Sequence, residues 1–328
     1  MSSTPALVGQ QSDSLREAFG KAITQLATED KSIYVLDADV AGGTGAHHFR
    51  THHQDRFIQC GIAEQNMVGV SAGLAITGLK PFVTTFAVFM LRAVEQIRLS
   101  IAYSNINVKL IASHPGLDVG PDGASAQCFE DLACMRAMPG MVVLSPCDSY
   151  EIHAATRALV NYQGPAYMRT GRSPCPNVFT EEPEFIIGKG KQLQQGHQIT
   201  LIGCGVMTHR ILTAAKYLET EGFSIRVIHM PSIKPIDKDI IISAAQETKA
   251  IISYEDHNTI GGLGSAIAEV LAEKPLCPLH RMGINDQIGR SGEPDELAAF
   301  YGLDVNSIIS KVKQVIGEGN YICLPKID

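Results

Sequence analysis

Short runs of β-branched and other apolar residues alternate with helical segments along this chain, and this alternation restricts the possible folds more than any other feature. In the first half, the apolar runs predict strands at Ser32–Leu36, Phe57–Cys60, Pro81–Thr85, Val108–Ser113, Met141–Ser145 and Ala166–Arg169. The intervening segments predict helices at Ser14–Ala27, Ala63–Thr77, Val88–Tyr103, Glu130–Ala137 and Ser149–Tyr162. Such alternation predicts an open, mostly parallel α/β sheet with helices on both faces.

A second α/β unit follows a change in composition. The acidic and polar residues 179–195 are interpreted as a linker, so we expect a flexible leader at 1–11 and domains at 12–178 and 196–328. The second unit is predicted to contain strands at Gln198–Cys204, Ser224–His229 and Ala250–Glu255, and helices at Met207–Glu221, Asp237–Glu247, Ile260–Glu273 and Asp304–Val315. The fold class is therefore α/β with two open, mostly parallel sheets.

Composition excludes several classes of protein. The chain has 328 residues, a net charge of -7 and 45% hydrophobic residues, which is typical of a globular protein with two cores. No run of Lys and Arg indicates nucleic-acid binding, and no apolar stretch is long enough to cross a membrane. The first eleven residues lack the features of a signal peptide, so we expect a cytoplasmic protein. The eight cysteines have no CxxC spacing, so we predict reduced thiols and no structural zinc.

Ligands of open α/β sheets bind outside the carboxyl ends of the strands, so the residues that follow each strand are the candidates for function. Glu64 lies in the first turn of a helix directly after the strand that ends at Cys60. An acid there commonly serves only to complement the helix dipole. The following helix, however, is small and apolar nearly all round, which predicts that it is buried. We therefore expect a partly buried carboxylate that could share a proton with a ligand nitrogen.

Further candidates follow the next strands. Phe86 and Phe89 are three residues apart at a strand-to-helix junction and could be ordinary core, or could form the wall of a pocket for a flat heteroaromatic ring. His114 and Asp122 lie in a long glycine-rich loop. Each of them could contact a substrate, or could be an ordinary loop residue, with Asp122 stabilising a turn. The pair formed by Arg169 and Arg172 could bind a phosphate or carboxylate, or could form surface salt bridges.

Other conspicuous groups are predicted to have no such role. The four histidines His47, His48, His52 and His53 are interpreted as a solvated face rather than a metal site. The glycines at 261, 262 and 264 open a helix and could bind an anion, but they lack the GxGxxG spacing, so close packing is the favoured interpretation.

Three ordered segments together resemble the transketolase family. These are GIAEQNMVGVSAGLA from residue 61, KPFVTTFAVFMLRAVEQIR from residue 80 and HPGLDVGPDGAS from residue 114. The resemblance extends from about Arg16 to Asp304 and corresponds to the pyrimidine-binding and C-terminal domains of that family. It implies thiamine diphosphate as the cofactor and transfer of a two-carbon ketol unit from a ketose, often a sugar phosphate, to an aldose.

The resemblance also implies roles for particular residues. Glu64 would be the catalytic acid that hydrogen-bonds the aminopyrimidine ring of the cofactor, and Phe86 and Phe89, followed by Arg92, would surround that ring. Contacts to the sugar substrate are implied for His114 and Asp122, and a contact to its phosphate for Arg169. The remaining substrate-site candidates are Arg172, Arg16 and Asp39.

Two departures from the family pattern qualify this assignment. The family holds diphosphate and Mg²⁺ in a separate N-terminal domain with a GDG motif, which is absent from this sequence. We therefore expect a second subunit that carries the motif and the Mg²⁺, in a two-plus-two heterotetramer. At position 126 the family usually has histidine, whereas this chain has Ala126, so the donor or acceptor sugar is expected to be altered.

Three rival interpretations remain. The β subunit of a 2-oxo acid dehydrogenase E1 component has the same two-domain layout, although the GIAEQN and DGAS segments fit transketolase better. A 1-deoxyxylulose-5-phosphate synthase normally carries all its domains on one chain. A non-catalytic scaffold subunit would have no need of a strand-end acid such as Glu64.

Overall fold

The computed structural model describes residues 11–317 of the chain. Residues 1–10 of the predicted leader therefore lie outside the described residues, as does Cys323. Within the described range, no helix combines the length and apolar character needed to cross a membrane.

The first half of the chain forms the elements that surround the candidate site. Its strands are β1 (Gln11–Ser14), β2 (Ile33–Asp37), β3 (Phe57–Gln59), β4 (Lys80–Phe86), β5 (Lys109–Ser113), β6 (Val142–Leu144), β7 (Ala166–Thr170) and β8 (Pro174–Pro176). Its α-helices are α1 (Leu15–Glu29), α2 (Ala41–Thr44), α3 (His47–His52), α4 (Glu64–Ile76), α5 (Ala87–Met90), α6 (Val94–Gln96), α7 (Asp131–Ala137) and α8 (Ser149–Asn161). Short 3-10 segments lie at Gln54–Arg56, Leu91–Ala93 and Gly116–Asp122, and a π-helix at Ile97–Ala102.

The second half repeats the alternation of strands and helices. Its strands are β9 (Lys191–Gln194), β10 (Ile199–Gly203), β11 (Ile225–His229), β12 (Ser232–Lys234), β13 (Ala250–Asn258) and β14 (Leu279–Ile284). Its helices are α9 (Met207–Thr220), α10 (Lys238–Glu247), α11 (Leu263–Glu273), α12 (Pro294–Phe300) and α13 (Val305–Gly317). Strand β9 falls inside the segment predicted to be a linker.

The strands form two main sheets, each parallel except for one antiparallel edge strand. The first has the order β12-β6-β7-β5-β4-β2-β3, and the second has the order β14-β13-β10-β11-β9. The antiparallel edges are β12 and β9. Strand β12 follows the predicted linker in sequence yet pairs with β6, so the second half contributes a strand to the first sheet. The prediction of two mostly parallel α/β units is confirmed.

The apolar stripe of α1 illustrates how the sequence pattern forms the core. Leu15, Phe19 and Ile23 recur at helical spacing and are all buried, while Leu26 is partly buried against the same cluster. This face packs with α8 on one side of the first sheet. The packing places the start of α1 beside the carboxyl ends of the strands.

Two predicted features differ from the structure. The continuous helix expected at 88–103 is divided, because Ala93 has φ −104° and ψ 14°, outside the α region, and the regular hydrogen-bond ladder stops there. Helix α4 is not buried all round: Met67 and Val68 are buried, whereas Gly69 and Gly73 on another face are exposed in the single chain. Within residues 11–317, no other element covers this exposed face.

Candidate active site

The candidate residues lie along one edge of the first sheet. The neighbouring strands β7, β5, β4, β2 and β3 are parallel, so their carboxyl ends meet at the same edge. At least one candidate lies at or just after the end of each of these strands. Arg172 follows β7, His114 follows β5, Phe86 ends β4 shortly before Phe89, Asp39 follows β2 and Glu64 follows β3. The order of strands therefore brings together side chains that are far apart in sequence, from Asp39 to Arg172.

Glu64 is the first residue of α4, and its side chain is only 5% exposed. Gly61, with φ 69°, makes the sharp turn between β3 and the helix. The Nε atom of Arg92 lies 3.3 Å from Glu64 Oε2, but the Arg92 side chain is 70% exposed. Among residues 11–317 this arginine is the only side-chain partner of the carboxylate. An exposed arginine can move aside, so the carboxylate can accept a different partner.

Three rings form a stack beside this edge. Phe86 and Phe89 are nearly parallel, with centroids 5.3 Å apart and an interplanar angle of 12°. His114 also stacks on Phe86, with ring centroids 3.8 Å apart. A Cβ atom at Gly43 would lie 2.6 Å from Phe86 Cε1, so α2 can approach the stack only with glycine at this position. The stack gives the site a flat aromatic wall.

His114 is buried and held in an unusual backbone conformation. Its φ is 57°, and its Nδ1 atom is hydrogen-bonded to Ser113 Oγ at 2.9 Å. Burial, and next the positive charges of Arg16 and Arg172, lower the pKa of His114 to about 3. The imidazole is therefore neutral near pH 7. Among the described residues its Nε2 atom has no hydrogen-bond partner, so this nitrogen is available to a ligand.

The two arginines beside His114 make this corner of the site positive. Arg16 donates from Nη1 to the carbonyl of Gly43 at 2.9 Å. Its Nε is buried and has no hydrogen-bond partner within the part of the chain that the structure describes. Arg172 is 32% exposed, and its Nη1 lies 3.6 Å from Asp122 Oδ2. An unpaired buried donor next to a second guanidinium is a suitable environment for an anion.

Arg169 occupies a different environment from the one expected for a phosphate ligand. Its side chain is 6% exposed, and its Nε and Nη2 atoms donate to Asp131 at 2.8 and 2.5 Å. Its Nη1 donates to the carbonyl of Asp256 at 3.0 Å. The pairing keeps the pKa of Asp131 low in spite of its burial. The guanidinium of Arg169 therefore already has Asp131 and the carbonyl of Asp256 as partners, and its contact with a substrate phosphate stays a prediction.

Two acids at the carboxyl end of β2 have different environments. Asp39 is exposed, has φ 65°, and donates its backbone N–H to Gln59 Oε1 at 3.0 Å. Asp37 is fully buried and accepts from Val40 N and Thr84 Oγ1, and burial raises its pKa. Asp37 is not among the candidate site residues named from the sequence, although its position as an acid at the end of an apolar strand is a signal that the sequence carries.

The histidine segment is not simply a solvated face. His48 Nε2 lies 2.8 Å from Glu17 Oε2, and both side chains are about one-quarter exposed, at 26% and 28%. His47 lies 3.9 Å from the same oxygen. The glycines before α11 do pack closely, because a Cβ at Gly262 would lie 1.9 Å from the carboxylate of Glu255.

Comparison with known proteins covers most of the chain. Residues 11–177 match the family model "Transketolase, pyrimidine binding domain", and residues 188–308 match "Transketolase, C-terminal domain". The "Putative transketolase C-terminal section" of Methanocaldococcus jannaschii is 42% identical over 304 residues, which is 92% of this chain and 95% of that protein. The "6-deoxy-6-sulfo-D-fructose transketolase subunit SqwH" of a Clostridium species is 35% identical over 94% of this chain and 96% of its own length.

A solved structure is similar over the same extent. The protein described as "Split gene transketolase, inactive beta4 tetramer" is 42% identical and superposes with a TM-score of 0.84. The match covers 93% of this chain and 98% of the solved one. The similarity therefore includes both sheets and the edge at which the candidate residues meet.

Proposed function

Because the chain belongs to the transketolase family, we propose that it is the pyrimidine-binding subunit of a split transketolase-like enzyme. The enzyme transfers a two-carbon ketol unit from a ketose phosphate to an aldose acceptor. The observation that carries this proposal is the buried carboxylate of Glu64 at a strand end, with an exposed arginine as its partner. The named relatives favour this function over a 2-oxo acid dehydrogenase or a deoxyxylulose phosphate synthase.

The family implies thiamine diphosphate together with a divalent metal, and the site fits the pyrimidine half of that cofactor. Thiamine diphosphate, when bound, stabilises the charge that develops when a ketose C–C bond breaks. Phe86 and Phe89 present aromatic surface to a flat ring, and Glu64 holds a proton at the ring's edge nitrogen. Arg92 borders the same place and neutralises the carboxylate until the ring is bound.

The positive corner of the site is assigned to the sugar phosphate. Arg16 and Arg172 bind its phosphate, since one has an unpaired buried Nε and the other is partly exposed. His114 stays neutral and uses Nε2 to hydrogen-bond a sugar hydroxyl or carbonyl, while Asp122 accepts from a hydroxyl. Asp39 lies at the rim. Arg169 acts indirectly, by holding the strand end from which Arg172 projects.

A second subunit completes the enzyme. The GDG motif that holds diphosphate and Mg²⁺ in this family is absent from the sequence, so we assign both to a partner N-terminal subunit in a two-plus-two heterotetramer. The exposed apolar residues near α4 support an interface: Ile62 is 80% exposed, Ile76 74% and Tyr103 81%. The similar solved protein is a split gene transketolase described as an inactive β4 tetramer.

The test is a substitution at Glu64 in the assembled enzyme. Glu64→Gln, purified with the GDG-containing chain, thiamine diphosphate and Mg²⁺, is expected to lower kcat by about 10²-fold or more, because general acid–base groups contribute that much. The measurement is ketol transfer from a panel of ketose phosphates, together with circular dichroism and the size of the complex.

Asp239→Asn is the matched control, since Asp239 is also a first-turn acid, on α10, and is 91% exposed. Asp239→Asn should have a kcat within about twofold of the wild-type value, as expected for the loss of a surface helix-dipole contact. A near-normal rate in Glu64→Gln would remove the proposed mechanism. Failure of the wild-type complex to transfer a ketol unit from any donor would remove the proposed reaction.

A further inference from the structure

The substrate loop, residues 115–127, lies between His114 and the second half of the chain. It contains Asp122, and three of its glycines, Gly116, Gly120 and Gly123, have positive φ. Glycine adopts such angles without the steric cost that other residues have, so these glycines allow the tight turns of the loop. The turns set the shape of the loop, whereas its position relative to the site depends on contacts with residues outside it.

Asp256, near the end of β13, makes the first of these contacts. Its Oδ1 accepts a hydrogen bond from the backbone N–H of Leu117 at 2.8 Å, across 139 positions in sequence. A Cβ at Gly116 would lie 2.1 Å from Asp256 Oδ2, so the loop backbone lies directly on this carboxylate. Asp256 is only 7% exposed. The contact is therefore shielded from water and geometrically specific.

The segment before α12 makes the second contact. Gln127 Nε2 donates to the carbonyl of Arg290 at 3.0 Å. A Cβ at Gly123 would lie 2.4 Å from Ser291 Oγ, and one at Gly289 would lie 1.7 Å from Gln127 Oε1. The far end of the substrate loop is thus packed against residues 289–291. Both ends of the loop are fixed by the second half of the chain.

The substrate loop in turn contacts residues assigned to substrate binding. Asp118, one residue after Leu117, accepts from the backbone N–H of Arg172 at 2.5 Å and from Ser173 N at 2.9 Å. Arg172 also lies 3.6 Å from Asp122. A continuous set of contacts therefore joins Asp256 to the arginine and the acid assigned to the substrate.

We propose that Asp256 is a positioning residue for substrate binding, and that the second half of the chain serves the reaction by holding the substrate loop in place. This inference rests on the proposed function for its effect on turnover. The loop's order, however, can be measured independently of any reaction.

The experiment compares Asp256→Ala with Asp256→Asn in the full heteromeric enzyme. Alanine removes the acceptor for Leu117 N, whereas the asparagine amide oxygen can still accept that bond. We expect Asp256→Ala to raise KM for a ketose phosphate by about tenfold, as for the loss of one buried hydrogen bond to a positioned group. Its kcat should change less than its KM, and Asp256→Asn should restore KM to near the wild-type value.

Hydrogen exchange supplies the second readout. In Asp256→Ala, peptides that cover 115–127 should exchange faster than in wild type, while those from α9 and α13 should not change. Gln127→Met removes the hydrogen bond to the carbonyl of Arg290 and should also make these peptides exchange faster. It replaces Asp256→Ala in the comparison if that variant does not fold.

His229→Gln is the control for general loosening between the halves. His229 is buried, and its Nε2 is hydrogen-bonded to Oε2 of Glu151 in the first half at 2.7 Å. It has no hydrogen bond to the substrate loop among the described residues. This variant should leave both KM and loop exchange unchanged. Unaltered loop exchange in Asp256→Ala and Gln127→Met, or an equal effect of His229→Gln, would overturn the inference. An inactive wild-type complex would instead count against the proposed function and leave the exchange comparison valid.

Discussion

At the scale of single residues, Arg169 and Arg172 demonstrate how environment separates two similar side chains. Both follow the same strand, and both could bind a phosphate by residue type. Arg169 turns into the core and is paired with Asp131, whereas Arg172 remains partly exposed beside His114. We therefore expect Arg169 to contribute mainly to stability and Arg172 mainly to substrate binding.

Substitution of each arginine should separate these roles. Arg169→Gln leaves the buried Asp131 without its charge partner and should lower the free energy of unfolding by about 3–5 kcal/mol. Arg172→Gln should cost less than about 1 kcal/mol, as a partly exposed ion pair does. It should nevertheless raise KM for phosphorylated donors about tenfold or more, because it removes a charge-assisted hydrogen bond. Urea unfolding and steady-state kinetics measure the two effects.

A non-phosphorylated ketose is the internal control for Arg172→Gln, since its KM should not change. If Arg169→Gln were as stable as wild type, the buried Arg169–Asp131 pair would contribute little to the free energy of unfolding.

At the scale of elements, the site depends on how closely α1 approaches the α2–α3 segment. Gly20 lies in the middle of α1, where glycine is normally unfavourable to a helix. A Cβ there would lie 2.1 Å from the carbonyl oxygen of Gly45 and 3.0 Å from His48 Cδ2. The missing side chain therefore allows the close approach that brings Arg16 to Gly43.

Gly20→Ala should destabilise the protein by about 1–3 kcal/mol, because the neighbouring backbone must move to admit the methyl group. Gly42→Ala is the matched control in α2, since no atom lies within 4 Å of its added Cβ. It should be neutral or stabilising by up to about 1 kcal/mol. Urea unfolding of both variants makes the comparison, and equal stability would show that the spacing of these helices is not constrained by Gly20.

At the scale of the whole molecule, buried acids at the junction of the two halves make stability depend on pH. Burial raises the pKa of Glu255 from 4.5 to about 7, although Leu263 N and Gly264 N donate to its carboxylate at 2.6 and 2.8 Å. Burial also raises the pKa of the adjacent Asp256 from 3.8 to about 6. The folded chain therefore binds these protons more tightly than the unfolded chain does.

The contribution of Glu255 to stability is fully present below pH 4.5 and is lost as pH rises through about 7. Glu255→Gln cannot titrate, so the decline in unfolding free energy between pH 5 and 7 should be shallower than in wild type. Urea unfolding at a series of pH values measures the two slopes. The variant should be less stable at low pH, since its amide can accept only one of the two backbone bonds. An unchanged slope would mean that Glu255 does not titrate in this range.

The sequence determined the alternation of strands and helices and the positions that follow each strand. Parallel strands gather their carboxyl ends at one edge, so Glu64, Phe86 and His114 could be predicted to converge from local pattern alone. Only the tertiary structure decided which arginine is held in a buried ion pair, because the partners of Arg169 lie 38 and 87 positions away. It also decided that α4 leaves one face uncovered and that Asp256 supports the substrate loop. The physical reason is that periodicity records which face of an element is apolar, whereas burial and pairing depend on residues distant in the chain.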